Sequence, residues 1–89
     1  MRLSEIISNI SDHTPKIGKK TKRDRLFWDS IMFLVTGDWE KCEEPADKTA
    51  IRQNLRFGNR WFSVYQSDGD IYLKVTEALK IHWCKVQAE

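Results

Sequence analysis

Hydrophobic residues near the N-terminus recur at the spacing of a helix. They occupy the i, i+3, i+4 and i+7 positions of one helical face, at Leu3, Ile6, Ile7 and Ile10. This pattern predicts a first helix over residues 3 to 11. The segment His13-Thr14-Pro15 ends it, because the residue before a proline is pushed away from helical backbone angles.

A second apolar run, from Leu26 to Val35, is interrupted only by Asp29 and Ser30. Thr21 followed by Asp24 resembles a capping box, and Gly37 is placed to close the helix with a left-handed cap. A helix that is apolar almost all round is central and mostly buried. Its predicted core residues are Leu26, Phe27, Ile31, Leu34 and Val35.

A third helix is predicted over residues 48 to 57. Asp47 can cap its N-terminus, and Ile51 and Leu55 form its inward pair. The link from Gly37 to Ala46 that precedes it is acidic and broken by Pro45, and within it Trp39 to Glu44 could form a short extra helix.

Two stretches with strand alternation flank a turn and predict a β-hairpin. Asp68-Gly69 suits a two-residue type I′ turn, which pairs Tyr65 with Tyr72. This register predicts an inner face of Phe62, Val64, Leu73 and Val75. The outer face would hold Trp61, Ser63, Tyr65, Tyr72 and Lys74.

The stretch from Thr76 to Gln87 fits two patterns. Leu79, Trp83 and Val86 have helical spacing, whereas Leu79, Ile81 and Trp83 alternate as in a strand. The helix propensity of residues 77 to 80 favours the helix. The expected fold is therefore one α+β domain over residues 1 to 89, with three or four helices and one β-hairpin.

Composition and charge limit the possible functions. The chain has 89 residues, 40% of them hydrophobic, four tryptophans and two cysteines. No apolar run approaches the ~20 residues that cross a bilayer, and nothing resembles a signal peptide, so we expect a cytoplasmic protein, or a nuclear one in a eukaryote. Cys42 and Cys84 could pair, but reduced thiols fit such a compartment better.

Basic residues on the predicted third helix indicate nucleic-acid binding. At helical spacing, Thr49, Arg52, Gln53 and Arg56 share one face, and Lys48 precedes them. Arg and Gln are the side chains that pair with guanine and adenine edges in the major groove. An ordinary solvated helix face would have the same composition.

The order of a short basic helix, Gly58-Asn59, a hairpin and Val75-Thr76-Glu77 resembles the second half of a winged-helix DNA-binding domain. The resemblance covers about residues 47 to 80 and implies a recognition helix followed by a wing. It implies duplex DNA as the partner, with Lys74 along an adjacent phosphate backbone. The link before the helix is longer than the 3–4-residue turn of a helix-turn-helix, and its acidity would repel phosphate.

A basic stretch between the first two helices could supply further phosphate contacts, or be a solvated loop. Its candidate residues are Lys19, Lys20, Lys22 and Arg23. The scattered histidines, cysteines and serines form no metal-binding or nucleophilic motif, so we expect neither an enzyme nor a metal or other cofactor.

Aromatic residues provide the alternative function. If the outer hairpin face is uncovered, it could bind a protein partner, because clustered aromatic side chains with a charged rim anchor protein interfaces. The candidates are Trp39, Trp61, Tyr65 and Tyr72. The chain would then be an inhibitor or adaptor of another protein, a role common among small proteins of phages and mobile elements.

Overall fold

The computed structural model describes residues 2–11, 13–15, 18, 21–37 and 39–86, and within them two helices precede a five-stranded antiparallel sheet. The helices are α1 (Leu3–Ser11) and α2 (Lys22–Thr36). The strands are β1 (Trp39–Cys42), β2 (Thr49–Phe57), β3 (Arg60–Ser67), β4 (Asp70–Glu77) and β5 (Lys80–Val86). The winged-helix-like arrangement of three or four helices and one hairpin is therefore wrong.

The first two predicted helices are confirmed. The Thr21 side chain accepts a hydrogen bond from the Asp24 backbone, and the Asp24 carboxylate accepts one from the Thr21 backbone, which completes the predicted capping box. The left-handed cap at Gly37 is wrong, since its φ is −78°. A Cβ at this position would lie 2.6 Å from the Phe33 carbonyl oxygen, so the close approach of the backbone requires glycine here.

The strand order of the sheet is β1-β5-β4-β3-β2, and the last four strands form a meander. Its three turns, Gly58-Asn59, Asp68-Gly69 and Ala78-Leu79, each contain a residue with positive φ. Tyr65 pairs with Tyr72 across the middle hairpin, which confirms the register predicted from Asp68-Gly69. The second turn residue there, Gly69, has a φ of 80°, which suits glycine.

The segment predicted as the third helix is strand β2. Two register irregularities interrupt its pairing with β3, one on each side of Arg52, and Asn54 within the second has a φ of 60°. Each irregularity shifts the strict alternation of a strand. As a result, Arg52 and Leu55, three residues apart, pair with Val64 and Phe62, which lie on the same face of β3. Ile51 and Leu55 both pack against the core.

The two remaining segments with uncertain assignment are also strands. Trp39–Cys42 does not form a short helix but pairs with β5 as an edge strand. The helix favoured for residues 76 to 87 is wrong as well: β4 continues to Glu77, and β5 pairs with it from Lys80. Cross-strand packing prevails over the helix propensity of Glu77 to Lys80.

Both helices cover one side of the sheet, which we call the inner face. The buried side chains between them are Ile6, Ile10, Phe27, Ile31, Leu34, Phe62, Val64, Ile71, Leu73, Val75, Cys84 and Val86. The predicted inner face of the hairpin is thus confirmed, as is the burial of Phe27, Ile31 and Leu34. Val35 is only half-buried, and Leu26 is 39% exposed, because the buried face of α2 is narrower than its apolar run.

Neither described helix is long and apolar enough to cross a membrane.

Leu34→Ala should destabilise the protein by about 2–5 kcal/mol, since the Leu34 side chain is fully buried and its removal leaves a cavity. Met32→Ala, on the exposed side of the same helix, should change stability by less than about 1 kcal/mol. Urea unfolding of both variants measures the difference. Equal losses would contradict the assignment of the inner face.

Candidate functional site: the outer face of the sheet

The side of the sheet away from the helices, the outer face, carries aromatic and basic side chains in register. Across β5, β4 and β3, Lys85, Tyr72 and Tyr65 form one row. Trp83, Lys74 and Ser63 form the next, and Ile81, Thr76 and Trp61 the third, to which β2 adds Arg56. Successive rows on one face lie ~7 Å apart.

Residues 43–48, which we call the acidic strap, cross part of this face. They connect β1 to β2, which lie at opposite edges of the sheet, so the strap has to pass from one edge to the other. Lys48 Nζ lies 5.3 Å from the centre of the Trp83 ring, and Ser67 Oγ donates a hydrogen bond to the Asp47 carbonyl. Both Trp83 and Ser67 belong to the outer face by register, so the strap runs over it.

Beneath the strap, three aromatic side chains form a cluster. The rings of Tyr65 and Trp83 lie 5.2 Å apart, and Tyr72 is paired with Tyr65. All three are half-buried. Lys48 is only 21% exposed, and its ammonium donates to Glu44 at 2.6 Å and to the Pro45 carbonyl at 3.0 Å. The strap and this cluster therefore make a small second packing layer.

The end of the outer face away from the strap is open. We call it the open patch, and it consists of Arg56, Trp61, Lys74, Thr76 and Ile81. Trp61 is 44% exposed and Ile81 is 55% exposed. The Arg56 guanidinium lies 5.9 Å from the centre of the Trp61 ring, a cation–π arrangement that supports the indole from one side.

The charge of the open patch is positive. Lys74 makes no hydrogen bond or ion pair with any described residue, and the two rows that hold the patch contain no carboxylate. At the nearby strand ends, the Glu77 carboxylate accepts from Arg60 Nε at 2.9 Å. The patch therefore offers apolar area beside cations that no described carboxylate neutralises.

The residues predicted to bind nucleic acid do not share one face. Lys22 and Arg23 lie exposed in the first turn of α2, while Lys74 lies on the outer face of the sheet, and Lys19 and Lys20 lie outside the described residues. Lys48 belongs to the strap. Thr49 and Gln53 are exposed on β2. The helical face that was expected to group Thr49, Arg52, Gln53 and Arg56 is absent because this segment is a strand.

Arg52 lies on the inner face and connects three parts of the chain. Its Nε donates to the Ile10 carbonyl at 2.7 Å, and its Nη2 donates to the His13 carbonyl and, at 3.0 Å, to Thr14 Oγ1. Its guanidinium also lies 5.3 Å from the centre of the Phe27 ring. Arg52 thus satisfies carbonyl groups at the C-terminus of α1, where a positive charge also matches the helix dipole.

Arg52→Ala should lower the free energy of unfolding by about 1–3 kcal/mol, because it leaves carbonyl groups at the end of α1 without a charged donor. Arg56→Ala, which removes an arginine from the same strand but the opposite face, should cost less than about 1 kcal/mol. Chemical denaturation of both variants measures the effect. A loss for Arg56→Ala as large as that for Arg52→Ala would contradict the structural role of Arg52.

Asp24, at the start of α2, also anchors the segment after α1 that Arg52 binds. It contacts His13 through its Oδ1 and the Thr21 backbone N–H, at 2.9 Å, through its Oδ2. The Thr21 backbone N–H, and after it the His13 side chain, hold the pKa of the Asp24 carboxyl below its ordinary value. Asp24 is nevertheless no candidate catalytic group, since its partners cap α2 and anchor the segment before it.

Asp24→Asn should be less stable than the natural protein at neutral pH, with the difference shrinking on acidification. A carboxyl group whose pKa is lower in the folded state than in the unfolded chain stabilises the fold at pH values above its unfolded pKa. This contribution shrinks as the pH falls below about 4, and it is lost once the pH is below the pKa of the folded state. Thermal unfolding from about pH 7 to about pH 3 measures it. Asp29→Asn, at an exposed position of α2, is the control because it leaves the Asp24 contacts in place. A stability loss for Asp24→Asn that does not shrink on acidification would contradict the prediction.

The residues predicted to bind a protein partner are partly brought together. Trp61, Tyr65 and Tyr72 share the outer face as expected, but Trp39 packs on the inner face with its ring 5.9 Å from that of Phe62. Trp83 was missed because the segment containing it was predicted to be a helix. Its alternation with Ile81 and Leu79 was the signal that could have placed it.

The two cysteines lie on opposite faces of the sheet and are free thiols. Burial is the main cause that raises the pKa of both thiols. No group of three histidine, cysteine or acidic side chains in the described part of the chain is arranged to hold a metal ion.

Comparison with known protein families, with curated proteins and with solved structures finds no match to this chain.

Proposed function

We propose that this protein works by binding another protein through the open patch, with Trp61 as the central contact. The observation that carries the proposal is an indole that is 44% exposed and backed by the Arg56 guanidinium, beside an Ile81 that is 55% exposed. Tryptophan and arginine are the residue types most enriched among side chains that dominate protein interfaces.

The chemistry of the patch defines the partner. Trp61 and Ile81 offer apolar area, while Arg56 and Lys74 offer positive charge that no carboxylate in their rows offsets. A complementary partner presents an apolar side chain flanked by aspartate or glutamate. The Arg56–Trp61 contact restrains both side chains in advance, which reduces the entropy lost on binding.

Nucleic acid fits the open patch less well. Insertion into a DNA groove depended on a helix over residues 48 to 57, and that segment is a strand. The side chain next to Trp61 and Thr76 in the third row is Ile81, and Leu79 at the adjoining turn is fully exposed. Aliphatic side chains add apolar area but do not stack on bases as aromatic rings do.

Selection of peptides from a random display library by the natural protein tests the proposal. The enriched peptides should combine an aromatic or aliphatic residue with flanking acids, as the charge of the patch requires. Trp61→Ala should weaken their binding by about 2 kcal/mol, roughly 30-fold, as measured by titration with the synthetic peptide.

Trp28→Ala is the matched control. Trp28 is 37% exposed, close to the value for Trp61, but it lies on α2, on the opposite side of the sheet from the open patch. It should leave peptide affinity unchanged within about twofold. The proposal would be overturned if the selected peptides bound Trp61→Ala as well as the natural protein. It would also be overturned if no peptide were enriched and a single-stranded oligonucleotide bound in a Trp61-dependent way, a result that would favour nucleic acid as the ligand.

A further inference from the structure

A separate cavity of about 280 Å³ opens on the inner face. Trp39 and Lys41 of β1, Arg60 of β3, Glu77 of β4, and His82 and Cys84 of β5 line it. Strand pairing places these residues on one face, since Lys41 pairs with Cys84, and Glu77 with Arg60. The cavity therefore lies on the opposite side of the sheet from the open patch.

The Trp39 ring forms one wall of the cavity, and two contacts fix its orientation. Its Nε1–H donates to the Leu34 carbonyl at the end of α2 at 2.8 Å, and its ring packs against the Phe62 ring with an angle of 69° between the two planes. Because the indole N–H is already satisfied, a ligand in the cavity meets the apolar surface of the indole. A wall held in this way loses little conformational entropy when a flat group packs against it.

Of the charged and polar side chains that line the cavity, some have a partner and others do not. Arg60 and Glu77 form an ion pair at 2.9 Å. Lys41 and His82 make no hydrogen bond or ion pair with any described residue, although both border the cavity. Burial raises the pKa of the Cys84 thiol, so at neutral pH this side chain is an uncharged part of the wall.

We propose that this cavity binds a small organic anion with a flat ring, of the aromatic carboxylate class. The ring would pack against the Trp39 indole, and the carboxylate would pair with the Lys41 ammonium and accept a hydrogen bond from the His82 imidazole. Sites that bind small molecules typically combine apolar walls with a few convergent polar groups, as this cavity does. The inference does not depend on the proposed protein partner, whose surface lies on the other face.

The test uses benzoate, benzamide and inorganic phosphate, with ¹H–¹⁵N NMR spectra of the full chain as the readout. Benzoate and benzamide share a ring and nearly the same shape but differ in charge, while phosphate has charge without a ring. Benzoate should saturate with a Kd of about 1 mM or below, shifting the Trp39 indole resonance and the backbone amides of Lys41 and His82. Benzamide and phosphate should bind at least about fivefold more weakly.

Lys41→Gln should weaken benzoate binding at least about fivefold and bring it close to benzamide binding, because the neutral side chain cannot pair with the carboxylate. Lys41 is exposed, so the variant should keep the spectrum of the folded protein. Lys22→Gln, at an exposed position at the start of α2, should bind benzoate as the natural protein does. Binding that is unchanged in Lys41→Gln, equal for benzoate and phosphate, or undetectable for benzoate in the natural protein would overturn the proposal.

Discussion

The hydrogen bonds of Arg52 to the end of α1 hold the two layers of this protein together. α1 is a helix of nine residues, too short to be stable by itself, and its position depends on tertiary contacts. The guanidinium links strand β2 to the carbonyls of Ile10 and His13, while the imidazole of His13 contacts Asp24 at the start of α2. One strand and two helices thus meet within a few residues, and α1 buries Ile6 and Ile10 in the core next to this junction.

The same sheet separates two surfaces of different chemistry. Its outer face combines exposed apolar side chains with Arg56 and Lys74, and its inner face encloses a cavity beside Trp39. Because successive residues of a strand point to opposite faces, β3, β4 and β5 each contribute to both surfaces. On β5, Ile81 belongs to the open patch while the next residue, His82, lines the cavity. On these three strands, odd or even position along the strand therefore decides which surface a substitution alters.

The sequence predicted the parts of the fold that are set by local rules. Apolar spacing identified α1 and the burial of Phe27, Ile31 and Leu34 on α2. Asp68-Gly69 was sufficient to predict which residues of β3 and β4 share a face. The irregular pairing of β2 could not be read in this way, because Ile51 and Leu55 have the same spacing as on a helix. Turns recur at Gly58, Asp68 and Ala78, ten residues apart. That period is typical of a meander, but Ala78-Leu79 does not have turn composition.

The candidate site was only partly predictable for a related reason. Trp61, Tyr65 and Tyr72 could be placed on one face from the hairpin alone, but which of them stays accessible depends on the path of the acidic strap. That path follows from the pairing of β1 with β5, a contact between residues more than forty positions apart. Neither this pairing nor the inward position of Trp39 leaves a local sequence signal.

The position of β1 in the sheet also has a consequence for the order of events during synthesis. Among the described residues its strand neighbour is β5, so Trp39–Cys42 lacks this pairing until Trp83–Val86 has left the ribosome. At about 5–20 residues per second, the forty-odd intervening residues take roughly 2 to 9 seconds to translate. During that interval α1 and α2 can form but β1 cannot close the sheet. Closure of the sheet is therefore expected to wait for β5, the strand that joins the two halves of this unit.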